Sequence, residues 1–163
     1  MAVRPILRWP DPRLSQPCAP AVPGPALEEL ASDMLATMYH AQGRGLAAPQ
    51  VGEMARLFVM DAVWKDGPAE PQVFVNPEIL WMSSERAEGP EGCLSIPGPR
   101  LTVARAPEIR LRWTSLFGAE QAALLSGFAA ICAQHEIDHL DGIVILDRAA
   151  PAARDAALRE MQP

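Results

Sequence analysis

The chain has 163 residues, 49% of them apolar and 21% charged, with a formal charge of −6. That length closes one core but is short for two ordinary domains, and the composition excludes a disordered chain. The acidic balance offers no basic face for a tight nucleic-acid grip, and no apolar run reaches the roughly 18–20 residues that span a bilayer. Seventeen prolines, several of them before residue 25, predict an extended, pinned N-terminal arm. The opening MAVRPILRWPDPRL lacks the apolar stretch and small-residue cleavage site of a signal peptide, so a cytoplasmic location is the expectation. Cys18, Cys93 and Cys132 cannot all pair and are expected there as thiols.

Residues 25–42 read as the first helix. Pro25 suits the first helical position, Glu28 and Glu29 favour the N-terminal end, Leu27, Leu30, Met34 and Met38 form one stripe, and Gly43 is the expected stop. GRGLAAPQVG follows, too rich in glycine and proline for regular structure. Residues 55–61 and 72–80 read as strands, and RLTVARAPEIRLRW supplies two more, broken near Pro107. The second helix runs from Ser126 to Leu140, with Ser126 as cap, Phe128, Ile131 and Cys132 as an apolar face, and Asp141-Gly142 as its end. IVILD reads as short extended chain, and 151–161 as a brief terminal helix. Scattered strands with two or three helices make an α+β fold, because nothing alternates regularly enough for a parallel βαβ sheet.

His135-Glu136-Ile137-Asp138-His139 is the strongest chemical signal. Residues four apart share a helical face, so both imidazoles can reach one metal ion, and Glu136 is offset toward the proton-acceptor role. Two of only three histidines stand at ligand spacing inside an otherwise apolar helix, which argues against an ordinary polar surface. A catalytic site needs a third ligand, and Cys93 in Glu91-Gly92-Cys93-Leu94-Ser95 is the best candidate. Cys18 is read as an ordinary buried cysteine. Cys132 is expected on the wall near the metal, facing pocket or core, and His40 is read as structural. Gly43-Arg44-Gly45-Leu46-Ala47-Ala48-Pro49-Gln50 is, alone, only a tight loop with an amide donor in Gln50.

GxGLAAPQ, EGCLS and QHEIDH, in that order, resemble the three signature motifs of the peptide deformylase family, and the likeness extends over nearly all of 1–163 as one catalytic domain. The resemblance implies small antiparallel or mixed sheets packed around a central HExxH helix. It further implies Cys93, His135 and His139 as ligands of one divalent ion. Ferrous iron is the family's common metal, with zinc or nickel able to replace it; the donors alone would suggest zinc. It assigns Glu136 to proton transfer, Gln50 and the Leu94 N–H to the developing oxyanion, and the start of a formyl-Met nascent peptide, at the ribosome, as substrate. Asp138 is expected to support the histidines from behind. The loop 43–46 (Arg44, Gly45, Leu46) and the segment 89–92 (Gly89, Glu91) are expected to bind the peptide backbone, assisted by Arg100. Phe128, Ile131 and Cys132 are expected to line the methionine pocket.

Arg44 and Phe128 depart from the family's usual aliphatic residues, so a paralogue with altered acyl or peptide preference is the alternative reading. A zincin-type protease is disfavoured by the small size, the cysteine and the GLAAPQ loop. A non-enzymatic ribosome-bound module would have lost Glu136 or Gln50, and both are present.

Overall fold

A computed structural model describes residues 1–162. Four α-helices, α1 (Pro25–His40), α2 (Gly127–Leu140), α3 (Ile145–Arg148) and α4 (Pro151–Glu160), accompany seven strands among these residues. The strands are β1 (Gly45–Ala47), β2 (Leu57–Met60), β3 (Gln72–Met82), β4 (Ala87–Cys93), β5 (Ile96–Arg105), β6 (Glu108–Thr114) and β7 (Glu120–Ser126). They make a five-stranded sheet in the order β1-β2-β3-β6-β7 and a separate β4-β5 hairpin, with every strand pair antiparallel. The expected α+β architecture around the HExxH helix is what the chain adopts.

The uninterrupted apolar run of β2 follows from burial on both faces. Leu57 and Val59 point into one cluster with Leu27, Leu30, Met34 and Met38 of α1. Phe58 and Met60 point the other way, into a second cluster with Ala130, Ala133, Ile137 and Leu140 of α2. Alternation along one strand therefore distributes side chains to two helices on opposite faces of the sheet. Phe58 stacks on Phe74 with ring centroids 4.4 Å apart, and Trp113 closes on Phe74 at 4.8 Å. Burying each such ring contributes about 1.5–3 kcal/mol.

Several boundaries differ from the sequence expectation. The first helix ends at His40, two residues early, because Gln42 takes the left-handed conformation (φ 59°) and Gly43 donates its N–H to the Met38 carbonyl. Gln42, not Gly43, thus supplies the helix stop. The GLA of the glycine-rich loop is a strand, held by the ladder to β2, and APQV (Ala48–Val51) closes into a 3-10 turn. Residues 91–93 end strand β4, and β7 has no counterpart among the strands expected from the sequence. ILD of IVILD is helical, belonging to α3, since Asp147 turns back to accept the Val144 N–H. Ser126 occupies the cap position of α2 but its side chain makes no capping hydrogen bond.

The N-terminal arm is extended as expected, apart from a 3-10 turn at Pro12–Ser15, and it does structural service. Leu7 donates its N–H to the Gln50 carbonyl at 2.7 Å, and Trp9 donates to the Ser95 carbonyl at 2.9 Å. One strand of backbone thereby ties the GLAAPQ segment to the β4–β5 hairpin, which carry two of the three motifs.

Candidate active site

The third motif lies on α2, most of whose residues are buried, including Gln134, Glu136, Asp138 and His139. Spacing of four residues brings the His135 and His139 rings to 5.0 Å between centroids. Cys93 arrives from the last position of β4, its Sγ 3.4 Å from His139 Nε2. One donor atom from each of Cys93, His135 and His139 lies within 4.8 Å of the others. A thiol and two imidazoles so arranged fit a single divalent ion, with coordination left over for a reactant. Burial, reinforced by the neighbouring His135 and Arg105 charges, holds His139 far below the usual imidazole range, so it stays in the neutral form a ligand needs.

Behind His135 stands a buried chain of charges that the motifs did not announce. Glu91 Oε1 lies 2.9 Å from His135 Nδ1, and both Glu91 oxygens accept hydrogen bonds from Arg105, at 2.8 and 2.9 Å. Burial raises the Glu91 carboxyl, but the bonds from Arg105 and His135 outweigh it and hold the group down at about 2. Burial disfavours charge on His135, but the Glu136 carboxylate and the bonds to Cys93 and Glu91 outweigh it and hold the ring well above the usual imidazole range. A carboxylate can only accept, so Nδ1 carries the proton of the hydrogen bond that Glu91 takes, and Nε2 would give up its own to hold an ion. Arg105 also donates to Asp138 at 2.7 Å, and Arg148 donates to Asp138 at 2.8 and 3.1 Å.

One expectation is narrowed and one corrected by this arrangement. The Glu91 side chain is buried and engaged with Arg105 and His135, so only its backbone, at the cleft wall, is left for a peptide. Asp138 hydrogen-bonds neither histidine; its partners are Arg105 and Arg148, and it reaches His135 only through Arg105 and then Glu91. Arg105 was missed, although a buried arginine in a strand of alternating burial has few roles other than pairing with carboxylates.

Glu136 is buried, and its Oε1 has no hydrogen-bond partner among the described residues. Burial pushes its carboxyl up to about 7, although His135 and Arg105 pull against the shift. A group in that range both takes and returns protons near neutrality; positive charge at the three-donor cluster would offset part of the rise. Gly45 explains how the carboxylate fits. A Cβ there would stand 2.6 Å from Glu136 Oε2 and 2.7 Å from Cys132 Sγ, so the middle of GRGLA has to be bare. Cys132 itself is buried, and burial with the Glu136 and Glu91 carboxylates nearby raises its thiol well above the usual range. It remains an uncharged wall residue.

Gln50 is oriented by its own loop. Its Oε1 accepts the Ala47 N–H at 2.9 Å, which turns Nε2 toward Ser95 Oγ at 3.0 Å and Cys93 Sγ at 3.8 Å. Leu94 sits in the short link between β4 and β5, half-buried. Gln50, Cys93 and Leu94 border one cleft of about 510 Å³, whose walls also include Arg44, Gly45, His135 and Glu136. Ile131 and Cys132 line it, and Arg100 reaches its edge. Phe128 is 45% exposed at the rim, beneath the Arg44 guanidinium, and does not form a deep pocket floor. Two expectations are narrowed here. The Leu46 side chain is fully buried in the α1-side core, because alternation along β1 turns it away from the cleft, which leaves its backbone alone for a peptide. Gly89 pairs with Val103 and does not border the cleft.

Fold and cleft together define a small metal-dependent hydrolase built on an HExxH helix with a cysteine in the donor set. The family model described as polypeptide deformylase matches residues 3–155. A peptide deformylase of Mesorhizobium japonicum is 42% identical over 99% of this chain and 93% of its own length. Peptide deformylase of Ehrlichia chaffeensis in complex with actinonin superposes with a TM-score of 0.92 at 35% identity, covering 98% of this chain and 96% of that one. A class I type b peptide deformylase of Acinetobacter baumannii bound to Met-Ala-Ser gives 0.85 at 36%, covering 90% and 98%. The chain belongs to the peptide deformylase family. None of its helices is long and apolar enough to cross a membrane, among the described residues.

Proposed function

We propose that the chain, acting as one catalytic domain over 1–163, removes the N-formyl group from the initiator methionine of nascent polypeptides and releases formate. The observation that supports this best is a cleft lined by Cys93, His135, Glu136 with its unpartnered oxygen, and Gln50, with His139 buried behind the wall within donor distance of Cys93 and His135. Cys93, His135 and His139 are the residues that would hold one divalent ion; we assign Fe2+, with Zn2+ or Ni2+ able to use the same donors. When bound, such an ion supplies Lewis acidity and lowers the pKa of water.

The chain's own residues do the rest. Glu136 accepts the proton of the attacking water as the new C–O bond forms on the formyl carbon. The Gln50 amide and the Leu94 N–H donate to the carbonyl oxygen as negative charge gathers on it. Glu136 then delivers its proton to the methionine nitrogen as the C–N bond breaks, leaving formate and a free amine. Ile131, Cys132 and the rim residue Phe128 take the methionine side chain, while Arg44, Gly45 and Arg100 hold the following backbone. The working location is the cytoplasm, where the formyl-Met chain emerges at the ribosome, without contact to nucleic acid.

Formate release tests the reading, using protein prepared without oxygen and formyl-Met-Ala-Ser beside acetyl-Met-Ala-Ser. Rapid release from the formyl peptide with little cleavage of the acetyl one is expected. Equal cleavage of both, or no formate from metal-replete protein, would overturn it.

A further inference from the structure

The cleft mouth carries a charge pattern opposite to that of the molecule. The chain bears a formal −6, yet the ionic side chains at the cleft mouth are the half-buried Arg44 and the exposed Lys65 and Arg100. The carboxylates in its walls, Glu91 and Glu136, are both buried. Glu91 is already engaged by Arg105 and His135.

Local structure holds two of the cations in place. Asp61 accepts the N–H groups of Val63, Trp64 and Glu70 and folds the loop that follows β2. Trp64 then donates its ring N–H to the Gly43 carbonyl at 3.0 Å, pinning the loop to the residue before Arg44. Lys65, next on the pinned loop, borders the same cleft as Arg44, its ammonium 5.5 Å from the Trp64 ring centre. Arg44 lies over the Phe128 ring at 4.8 Å, at the edge of the proposed methionine pocket. Its charge is poorly answered. Its nearest carboxylate is Asp66, 3.8 Å away on an exposed side chain, and its Nε is buried without a hydrogen-bond partner among the described residues. A guanidinium offers five donors in a planar fork, so Arg44 has donor capacity that Asp66 does not use up.

We propose that Arg44, with Lys65 at the same cleft mouth, is a specificity-determining residue that selects an acidic side chain immediately after the methionine. The inference rests on the deformylase reading above. Arg44 marks the boundary between the methionine pocket and the next substrate position, and an incoming Asp or Glu takes the loosely held place of Asp66. Phe128 supplies the flat surface that keeps the guanidinium across the mouth. Rim charges of this kind act on association and on KM more than on the chemical step.

The test compares formyl-Met-Glu-Ser, formyl-Met-Lys-Ser and formyl-Met-Ala-Ser at low salt. The expected result is a kcat/KM about tenfold higher for the Glu than for the Lys peptide, carried mainly by KM and narrowing as salt is raised. Arg44→Leu should reduce the ratio to about twofold, Arg44→Lys should retain most of it, and Asp66→Asn should widen it by removing the competing carboxylate. A wild-type ratio near one, or a ratio that Arg44→Leu leaves unchanged, would overturn the proposal. Calorimetric binding of the product peptides Met-Glu-Ser and Met-Lys-Ser reads the same preference without turnover. Failure of formyl-Met-Ala-Ser to release formate would therefore count against the deformylase reading alone, while the calorimetric ratio still decides the role of Arg44.

Discussion

Replacing Glu91 with glutamine isolates the buried charge chain from the donors it supports. The carboxylate accepts three hydrogen bonds, two from Arg105 and one from His135 Nδ1. Glutamine has the same shape but one acceptor oxygen, and its NH2 group would face an N–H of Arg105 or His135. Breaking a buried charge pair costs about 3–5 kcal/mol. Arg105 keeps its 2.7 Å bond to Asp138, so the loss should sit at the lower end, about 3 kcal/mol. The second consequence concerns the ligand. Without an acceptor on Nδ1 the His135 ring loses its fixed tautomer and orientation, and metal affinity should fall about 10- to 100-fold. Urea unfolding of the chelator-treated protein measures the first effect, and metal competition against a calibrated chelator measures the second. A Glu91→Gln protein with metal affinity within about threefold of wild type would refute the orienting role, leaving Glu91 only as a partner for Arg105.

Gly45→Ala forces Glu136 and Cys132 away from a methyl group that would stand 2.6 and 2.7 Å from them; kcat should fall on the order of 100-fold, and steady-state kinetics showing a loss under threefold would contradict the tight fit. Asp33 accepts the Ala2 N–H at 2.7 Å and the Arg4 Nε–H at 3.0 Å, bonds that hold its carboxyl below the usual range despite burial. The stabilisation is therefore present above the unfolded pKa of about 3.9 and lost as pH falls through the lower folded value. Asp33→Asn should be less stable than wild type at neutral pH, with the gap closing in acid, as thermal unfolding across pH would read. With iron bound, formate release should decay in air as the ferrous centre and the Cys93 thiolate oxidise; activity unchanged after prolonged aeration would point to zinc or nickel.

The parts of the fold that could be read from sequence are those where a repeat period matches a burial face. Leu27, Leu30, Met34 and Met38 recur at helical spacing and all face the sheet, and His135 and His139 share a face because four residues make about one turn. Strand β7, reading EQAALLS, lacks such a signal. Its residues are mostly exposed, and its existence depends on the ladder with β6 from Glu120 to Ser126. Strand β1 is similar, since only pairing with β2 makes GLA extended. In the site, local spacing delivered the two histidines, and the resemblance of EGCLS to the deformylase motif delivered the choice of Cys93. What it could not deliver was the partner behind each group. Glu91, Arg105 and Asp138 meet across three elements, and their burial is visible only when β4, β5 and α2 are packed together. The same limit explains Leu46, whose side was decided by the register with Val59 and not by its neighbourhood in a motif.

The most direct test of the account is a metal titration of chelator-stripped protein under anaerobic conditions, following formate release from formyl-Met-Ala-Ser in the wild type and in Cys93→Ser. The account predicts activity rising linearly with Fe2+ and levelling at one ion per chain in the wild type. The variant should show a sharply weakened, poorly saturating response, because a neutral hydroxyl replaces a thiolate. Tight one-to-one loading with full activity in Cys93→Ser would contradict the assignment of Cys93, and with it the metal centre on which the account rests.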